Sequence, residues 1–594
     1  MTNDSASRTF TVVGGNVQEE GSIVGFITAA THALFILVVT TLMLGAPARA
    51  DAAMGDGTQG RQWVPGPSSD APVSAAQYGV IERMNLYMDA RDGVRLAYNL
   101  YLPDAPGSFP CLLIMEGYNK DSGSSPGGSA SQARDFASRG YAVVQADNRG
   151  EGASEGEWYP FSLMQQQDGY DLVEWEAAQP WCNGKVGTFG TSYMAIVQFL
   201  MAKHLPPHLV AMIPVQGWGD AYNGWMYQGG WRAAVDGPAW GTLEQALQLT
   251  PPSDGDLDTY ADRVAEQPVL AWLVTEWLSH PDFDDYWKER SSLAADHAAM
   301  ARARIAILFQ TYRILWFDRW LKGIRNGVDK EPHALLYVPG ANRWRFEKEW
   351  PIPDARYVKF YLRSSHSGSA VSLNDGSLST HAPAAEPTDV YAYSPTEIDG
   401  SPSQLLAGGE RSSTDQRLDE THILTWTTPA LGSPTEVTGP ITLNFWASST
   451  APDTDFAVNL VDVAPDGSGR QVTRGRLKAT HYPDQANPRP LQLGVVYRLA
   501  IEVWPTSWVF DPGHRIRIEL ASSDVPLMAV NPYPAVNTIY HDATRPSHVV
   551  LPIIGTSSLL AGSYDVDSSS IGLGIYPTVP EIEDVYAALP VWPY

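Results

Sequence analysis

Cysteine is almost absent from this chain, with two residues among 594. Two thiols are too few for a four-cysteine metal site, and no cluster of cysteine and histidine at ligand spacing stands out. The sequence also lacks a phosphate-binding loop and an internal repeat. These absences argue against a structural metal site, a nucleotide-binding loop and a repeat architecture. We therefore predict that the protein uses no metal ion and no cofactor.

Basic residues are also scarce. The 40 Lys and Arg residues stand against 66 Asp and Glu, which gives a formal net charge of −26 and a pI near 4.8. Such a balance argues against nucleic acid or an anionic membrane as a partner and for a soluble, self-repelling surface. A chain of 594 residues exceeds one hydrophobic core and should form two or three domains. The 20 Trp residues suffice for large cores and for an aromatic-lined pocket.

The first 50 residues have the pattern of an export signal. An apolar run covers residues 33–44, and Ala48-Arg49-Ala50 fits the small-x-small cleavage rule. We therefore expect a mature chain that begins near Asp51 and is secreted, periplasmic or held in the cell envelope. The flank before the run is long and poor in basic residues, so retention of residues 22–45 as a membrane anchor is the alternative. Residues 51–80, rich in Gly, Pro, Ser and Ala, predict a flexible linker.

The stretch from Gly187 to Ala195, Gly-Thr-Phe-Gly-Thr-Ser-Tyr-Met-Ala, is the most informative in the sequence. A strand-like segment meets Ser192 among small residues and passes into an apolar helical run that ends before Pro206. A nucleophilic serine sits on a strained strand-to-helix turn, which requires small neighbours, and the amide that follows it can donate to an oxyanion. The pattern predicts a nucleophile elbow. A surface Gly-Thr-Ser turn is the alternative.

Two further strand-like runs precede this turn, at residues 110–115 and 141–146. The second leads into a glycine-rich loop at residues 147–156, and residues 168–178 have amphipathic helical spacing. Alternating strands and helices of this kind imply a parallel sheet that binds ligands at the carboxyl ends of its strands.

Four motifs in this region closely resemble those of the CocE/NonD hydrolases. They are Gly-Tyr-Asn-Lys at 117–120, Asp-x-Arg-Gly-x-Gly-x-Ser-x-Gly at 147–156, Trp-Cys-Asn-Gly at 181–184 and Gly-Thr-Ser-Tyr-Met-Ala at 190–195. That family includes cocaine esterase, glutaryl-cephalosporin acylases, α-amino-acid ester hydrolases and, more distantly, X-prolyl dipeptidyl aminopeptidases. Later matches at 280–287, 316–323, 453–456 and 512–515 extend the resemblance over about residues 80–594.

The resemblance implies an α/β-hydrolase fold with a helical lid and a C-terminal jelly roll like that of X-Pro dipeptidyl-peptidases. On this layout, residues 81–205 and 301–340 form the core, and residues 206–300 form the lid. From residue 341 to 594, short alternating strands separated by Gly, Pro, Asp and Ser turns predict an all-β sandwich. We expect Trp446 and Phe510 to point into the core of this sandwich or into its docking face.

The resemblance also implies the chemistry. Ser192 matches the acylated nucleophile, the backbone amide of Tyr193 one oxyanion donor, and the Tyr118 hydroxyl the second. Without the family, Tyr118 would be interpreted as a buried core tyrosine. The implied substrates are small esters or amides, or peptides. The amino-acid ester hydrolases hold a substrate ammonium with a carboxylate pair near the lid entry, where this chain has Asn223-Gly224, which weakens that option.

The acid and the histidine of such a hydrolase are not found at the expected places. In the family they lie on two loops after the lid, whereas here the strand-like residues 305–308 run within a few residues into the motif at Trp316, so the core is apparently truncated. Asp220 and His297 are weak candidates for acid and base, and His514 is interpreted as a turn residue. The alternatives are a catalytically impaired or non-catalytic relative that keeps its pocket as a binding module, and a deleted or mis-assembled version of an active enzyme.

The two cysteines stand at the entrances of strands that are neighbours in the implied fold. An exported protein could therefore bridge Cys111 and Cys182, although the family motif around Cys182 does not require a bridge.

Overall fold

The computed structural model describes residues 63–64, 71–121, 128–248, 251–252, 260–261, 265, 272–292, 304–305, 310–396, 415–560 and 565. The predicted export signal, the predicted mature start at Asp51 and the candidate base His297 lie outside these residues. Within them, no helix is long and apolar enough to cross a membrane.

The first part of the described chain contains an α/β unit, a short hairpin (β8 and β9), and a strand, β1, that pairs with the C-terminal part. The strands are β1 (Trp63–Val64), β2 (Val80–Asp89), β3 (Arg95–Pro103), β4 (Phe109–Glu116), β5 (Ala142–Asp147), β6 (Cys182–Thr191), β7 (Leu209–Val215), β8 (Tyr227–Gln228), β9 (Trp231–Arg232) and β10 (Arg304–Ile305). The described α-helices are α1 (Ser129–Ser138), α2 (Leu163–Ala177), α3 (Tyr193–Ala202), α4 (Asp236–Leu247), α5 (Trp272–Ser279), α6 (Asp285–Glu289), α7 (Gln310–Trp320) and α8 (Arg417–Glu420), and a π-helix covers Tyr222–Met226. Helix α8 lies in the C-terminal part of the chain.

A seven-stranded sheet is the centre of this unit, in the order β10-β7-β6-β4-β5-β3-β2. The pairs from β10 to β5 are parallel, and β3 is antiparallel to both of its neighbours. Helices α2 and α3 pack on one face of the sheet, and α1 and α7 pack on the other. The central strands β4 and β5 are buried on both faces, which explains their nearly continuous apolar sequence. The sheet agrees with the prediction of an α/β core.

The chain between β7 and β10 contributes a separate, aromatic-rich layer. Its described parts are the π-helix, the β8–β9 hairpin and helices α4, α5 and α6. Ring contacts join Trp225, Trp240 and Trp277 in this layer, with centroids 4.9–6.2 Å apart. We call the described residues 216–292 the helical layer. The function of this layer as a lid, and the predicted domain boundaries, stay predictions.

The C-terminal part is β-rich. Strands β11 (Ala334–Val338) and β12 (Arg343–Glu347) form a three-stranded sheet with β1. The other strands are β13 (Arg356–His366), β14 (Gly376–Ser379), β15 (Asp389–Tyr393), β16 (Leu424–Thr427), β17 (Thr435–Ser449), β18 (Asp455–Val463), β19 (Gly469–Lys478), β20 (Tyr497–Phe510), β21 (Arg515–Ala521), β22 (Ala535–Tyr540) and β23 (His548–Ile554).

These eleven strands form one sheet that closes on itself, because β23 pairs with both β13 and β17. The result is barrel-like, whereas the sequence predicted a sandwich of two sheets. Strand β17 has 15 residues, and its ladder with β20 shifts register between Gly439 and Ile441. A bulge bends a long strand and increases its twist, so one strand can belong to both sides of the barrel. Sequence alternation predicted strands in this region but not this bend.

The two aromatic residues predicted to point inward differ in their placement. Phe510 is fully buried in the barrel core, as expected. Trp446 is only half-buried and lies beside Arg498, while its neighbour Phe445 fills the core. Side chains alternate between the two faces of a strand, so an error of one residue reverses the face. Trp446 therefore does not lie in the core, and its alternative placement in the docking face stays a prediction.

Part of the predicted flexible linker contacts the folded unit. Trp63 and Val64 pair with β12, and the backbone amide and hydroxyl of Ser74 donate to Asp318 over 2.6 and 2.8 Å. Asp318 is buried on α7 and also accepts from the Tyr141 hydroxyl over 2.6 Å, so the Ser74 donors add to the hydrogen bonds of a buried carboxylate. At these positions the chain is fixed by hydrogen bonds that its Gly- and Pro-rich composition does not indicate.

The two cysteines are joined. Cys111 lies on β4 and Cys182 at the start of β6, which are adjacent parallel strands, and their Cα atoms are 5.8 Å apart in the disulfide. The bridge that the sequence left open is therefore present in the structure.

Candidate active site

Ser192 lies at the turn between β6 and α3. Its φ of 62° is in the left-handed region, which is uncommon for a residue with a side chain, and its amide donates to Val215 over 2.9 Å. Gly190 permits the sharp turn, because a Cβ there would lie 2.3 Å from the Cβ of Met194. The strained backbone leaves Ser192 partly exposed at the carboxyl edge of the sheet, which is the geometry of a nucleophile elbow.

Tyr118 and Tyr193 converge on this serine. The Tyr118 hydroxyl donates to Ser192 Oγ over 3.0 Å and accepts from the Tyr193 backbone amide over 3.3 Å. Gly117 lets the two rings approach, since a Cβ there would lie 2.4 Å from the Tyr193 ring. The structure thus brings together the three residues that the sequence named for the nucleophile and the oxyanion donors. Donors this close to the hydroxyl are placed to bind an oxygen on the carbon that Ser192 would attack.

The Tyr118 phenol keeps its proton. Burial and, next, the negative charge of Glu244 raise the pKa of Tyr118 above its usual value. A phenol that stays neutral can donate its one hydrogen bond across the whole physiological pH range.

Two buried carboxyl groups lie near these donors and were not identified from the sequence. Burial raises the pKa of both Glu151 and Glu244 well above the usual range. The charge of Asp147 raises the pKa of Glu151 further, and the charge of Glu151 raises that of Glu244. Gln248 donates to Glu151 over 2.8 Å, whereas neither oxygen of Glu244 has a hydrogen-bond partner among the described residues. The raised pKa values favour the protonated form of both groups, which reduces the negative charge beside an oxyanion. Their signal in the sequence is weak: Glu244 is one acidic residue on a helix, four positions after Trp240.

An aromatic wall covers the nucleophile. The Tyr193 ring contacts Phe161 at 4.6 Å and Trp240 at 5.7 Å between centroids, and Trp218 contacts Phe161 at 4.9 Å. Trp240 and Trp218 belong to the helical layer, so this layer supplies an apolar surface next to Ser192. Such a wall suits the apolar part of an acyl or leaving group.

Asp147 organises the loop under the site. Its carboxylate accepts from the backbone amides of Lys120 and Ala153, at 2.6 and 3.1 Å, and lies 3.4 Å from the Lys120 ammonium. Burial nevertheless raises the pKa of Asp147 to about 6. The glycine-rich motif at 147–156 is therefore tied to the loop that carries Tyr118.

Asp220, the weak candidate for the catalytic acid, has a structural place. It is buried and accepts from the backbone amides of Tyr222 and Asn223 and from the Asn223 side chain, at 3.1–3.4 Å. These bonds hold the first turn of the π-helix. Burial raises the pKa of Asp220, and its side chain is not hydrogen-bonded to Ser192. The structure gives the acid candidate a capping position instead of a place beside a histidine.

No described histidine bonds to Ser192. Among the described residues, the side chain that bonds to the Ser192 hydroxyl is Tyr118, which donates to it. His514 bonds to Asp462 at 2.8 Å in the barrel, in agreement with a structural position. The other described histidines with side-chain partners also bond elsewhere: His204 to Gln166, His208 to Glu174, His280 to Asp284, His481 to Asp282 and His541 to Asp389.

The short connection after β10 agrees with this finding. Strand β10 ends at Ile305 and α7 begins at Gln310, so residues 306–309 alone separate them in the chain. Helix α7 packs on the sheet through Phe317, which contacts Phe136 and Phe189. There is no room in this interval for two catalytic loops, a further strand and a helix. Among the described residues, no group of three or more His, Cys, Asp or Glu side chains could hold a metal ion.

Comparison with known proteins identifies the family. Residues 92–310 match the model of the X-Pro dipeptidyl-peptidase S15 family, and residues 326–550 match that of the X-Pro dipeptidyl-peptidase C-terminal non-catalytic domain. Cocaine esterase from Rhodococcus sp. (strain MB1 Bresler) is 32% identical over 566 residues, covering 79% of this chain and 98% of that protein.

Solved structures show the same fold. An α-amino acid ester hydrolase superposes with a TM-score of 0.65 at 19% identity, over 82% of this chain and 98% of the other. A CocE/NonD family hydrolase from Staphylococcus aureus superposes with a TM-score of 0.62 at 19% identity, over 82% and 99%. The two domain matches, the cocaine esterase relationship and the fold confirm the resemblance seen in the motifs, and the chain belongs to the CocE/NonD family of ester and peptide hydrolases.

Proposed function

We propose that this protein hydrolyses ester or amide bonds of small molecules or peptides through an acyl-enzyme on Ser192. The observation that carries the proposal is the convergence of the Tyr118 hydroxyl and the Tyr193 amide on the Ser192 turn, within 3.0–3.3 Å contacts. In the proposed reaction, Oγ attacks the carbonyl carbon, the two donors bind the oxyanion, and the leaving group departs with a proton. Water then attacks the acyl group and frees Ser192.

Proton removal from Ser192 limits this reaction. No described histidine can accept the Oγ proton, so solvent water receives it, and a serine hydroxyl is a weak nucleophile without a base. Oxyanion stabilisation and binding alone leave a rate about 10³–10⁴ above that in water in a serine protease without its triad. We therefore expect slow hydrolysis of activated esters. The two hydrogen-bond donors for the oxyanion lie at residues 117–118 and 192–193, so they do not depend on catalytic loops after β10.

The second candidate is a non-catalytic relative that uses the same pocket to bind a ligand. The short interval between β10 and α7 favours it, because that interval leaves the usual acid and histidine without a place.

One set of experiments separates the two candidates. The purified full chain is assayed on p-nitrophenyl acetate and labelled with a fluorophosphonate, beside Ser192→Ala and the matched control Ser365→Ala at an exposed position. A label on Ser192 and turnover that Ser192→Ala abolishes and Ser365→Ala retains support the acyl-enzyme. Equal rates for Ser192→Ala and the parent, without a label, support the binding module.

His297 is tested in the same assay. Efficient turnover of the parent that His297→Ala removes would identify this histidine as the base and would contradict proton transfer to water. Slow turnover that His297→Ala leaves unchanged would support proton transfer to water.

We also propose that the protein acts outside the cytoplasm, after cleavage near Asp51. The support is the apolar run followed by Ala48-Arg49-Ala50. N-terminal sequencing of protein from the native host should give a start near Asp51. Soluble cytoplasmic protein that keeps Met1 would contradict export, and membrane-bound protein that keeps residues 22–45 would indicate the anchor instead.

A further inference from the structure

A cavity of about 430 Å³ lies between the helical layer and the β-barrel. None of the residues around it contacts Ser192. The cavity is within the volume range of small-molecule sites. Its lining combines the β8–β9 hairpin, the end of α5 and three segments of the β-rich part, which contribute Asp455, Lys478 with His481, and Ala529 with Val530.

The walls of this cavity are fixed by backbone contacts. The amide of Lys478 donates to the Gly229 carbonyl and that of Ala529 to the Arg232 carbonyl, each over 2.9 Å. The Trp231 indole donates to the Ala529 carbonyl over 2.7 Å. Gly229 is needed for this docking, because a Cβ there would lie 2.4 Å from the Arg476 carbonyl oxygen. The hairpin therefore holds its aromatic side chains against the barrel before any ligand arrives.

The floor of the cavity is acidic. Asp455 is 1% exposed, and its Oδ2 atom has no hydrogen-bond partner among the described residues. Its other oxygen lies 3.3 Å from the Lys478 ammonium, which bonds more closely to Asp453 at 2.5 Å. A buried carboxylate oxygen without a donor is costly, so a ligand that brings a donor would be stabilised there.

The other charged groups around the floor leave carboxylates in excess. Asp282 lies 3.2 Å from His481 Nε2, and burial lowers the pKa of His481, so this imidazole is neutral near pH 7. At a pH above the Asp455 pKa of about 7, the three carboxylates Asp453, Asp455 and Asp282 outnumber Lys478 and Arg232, the two cations that line the cavity. One further positive charge would then balance the group.

The rest of the lining is apolar. Tyr227 and Trp231 form a buried aromatic wall, and Leu278 and Val530, each 41% exposed, stand on the side open to solvent. An aromatic wall beside an acidic group attracts organic cations through both burial and the ring quadrupole.

From this arrangement we propose that the cavity binds a small organic ammonium with an apolar or aromatic body, whose N–H groups donate to Asp455 Oδ2. The site is separate from the proposed hydrolase site and needs none of its residues.

Phenethylamine is the probe, and 2-phenylethanol is its neutral counterpart. Binding to the full chain is measured by isothermal titration calorimetry at pH 8. Burial raises the pKa of Asp455 to about 7, so this carboxyl is ionised at pH 8. A primary amine with a pKa of about 10 keeps its proton there. We expect phenethylamine to bind at least about tenfold more tightly than 2-phenylethanol, as for one hydrogen bond to a charged group.

Three variants locate the site. Asp455→Asn removes the charge, and we expect it to weaken phenethylamine binding about tenfold. Val530→Trp blocks the solvent side without touching the floor, and Val536→Trp is its matched control, 42% exposed on β22 outside the cavity. We expect Val530→Trp to lose binding and Val536→Trp to keep it, with unchanged melting temperatures. Equal affinities for the amine and the alcohol, unchanged binding in Val530→Trp, or no binding at millimolar amine would overturn the proposal.

Discussion

Removal of the Tyr118 hydroxyl is the sharpest test of the proposed oxyanion site. In the resting structure this hydroxyl both donates to Ser192 Oγ and accepts from the Tyr193 amide. Tyr118→Phe keeps the ring, its packing against Tyr193 at 5.9 Å and the surrounding volume. The substitution therefore removes one hydrogen-bond donor and leaves the turn at Ser192 in place.

The expected size follows from the chemistry of such donors. Loss of one oxyanion-hole donor costs about 2.7–4 kcal/mol of transition-state stabilisation, or about 10²–10³ in rate. The parent rate is itself expected to lie only about 10³–10⁴ above that in water, because no histidine among the described residues bonds to Ser192. Tyr118→Phe should therefore bring ester hydrolysis close to the rate in buffer.

The assay is acylation of Ser192 by p-nitrophenyl acetate, followed as release of nitrophenol with enzyme in excess. Tyr337→Phe is the control, because this tyrosine is exposed on β11, and it should keep the parent rate. Thermal unfolding should show Tyr118→Phe folded, with at most a modest loss from the Tyr193 amide that no longer has its acceptor. A folded Tyr118→Phe variant that keeps half of a Ser192-dependent rate would refute the assignment of the phenol.

Three further predictions concern stability. Burial raises the pKa of Glu116 to about 7 from a usual value of 4.5, so the folded state binds its proton more tightly than the unfolded chain, and the stability that this gives is present below pH 4.5 and is lost as the pH rises through 7. In urea unfolding, Glu116→Gln should gain up to about 3 kcal/mol relative to the parent between pH 4.5 and pH 8. A pH-independent difference would contradict the burial argument. The Cys111–Cys182 disulfide closes a loop with a sequence separation of 71 residues, so the double variant Cys111→Ala/Cys182→Ala should lose about 2–4 kcal/mol of unfolding free energy, and a peptide map without the cross-link would remove the basis for this expectation. Arg345 is fully buried and bonds to both oxygens of Glu436 at 2.6–2.7 Å, so Arg345→Ala should lower the free energy of unfolding by about 3–5 kcal/mol by leaving a buried carboxylate unpaired. Arg134→Ala, at the exposed pair with Glu82, should lower it by less than about 1 kcal/mol, and equal losses for the two variants would count against this explanation.

The acidic and aromatic surroundings of Ser192 could not be predicted with the nucleophile. Glu151 follows β5 in the sequence, and Glu244 and Trp240 belong to a helix about 90 residues later. Each looks like an ordinary loop or surface residue where it stands in the chain. Only the packing of the helical layer over the sheet places them beside Tyr118 and Tyr193, since a long-range contact leaves no periodic pattern in either segment.

The same limit applied to the barrel. Alternation predicted strands in this region and Phe510 lies in the core as expected, but Trp446 is not a core residue and the predicted sandwich is one closed, barrel-like sheet. Register and bulges decide both properties, and they depend on which strands pair across more than 100 residues, as β13 and β23 do.

By itself the sequence determined the turn at Ser192 and the family, and the family's motifs named the candidate oxyanion donors. The turn depends on neighbouring residues, because small side chains around Ser192 permit the strained backbone and the following amide comes with it. Tyr118 was identified through a motif of the family that the sequence resembles, and the order of strands in the sheet places it beside Ser192. Only the tertiary structure decided that the two cysteines lie close enough to form a disulfide and that Asp220 holds a capping position. It also decided the closed barrel and the acidic cavity at Asp455. Each of these depends on distances between segments far apart in the chain, which chain folding sets and local sequence does not encode.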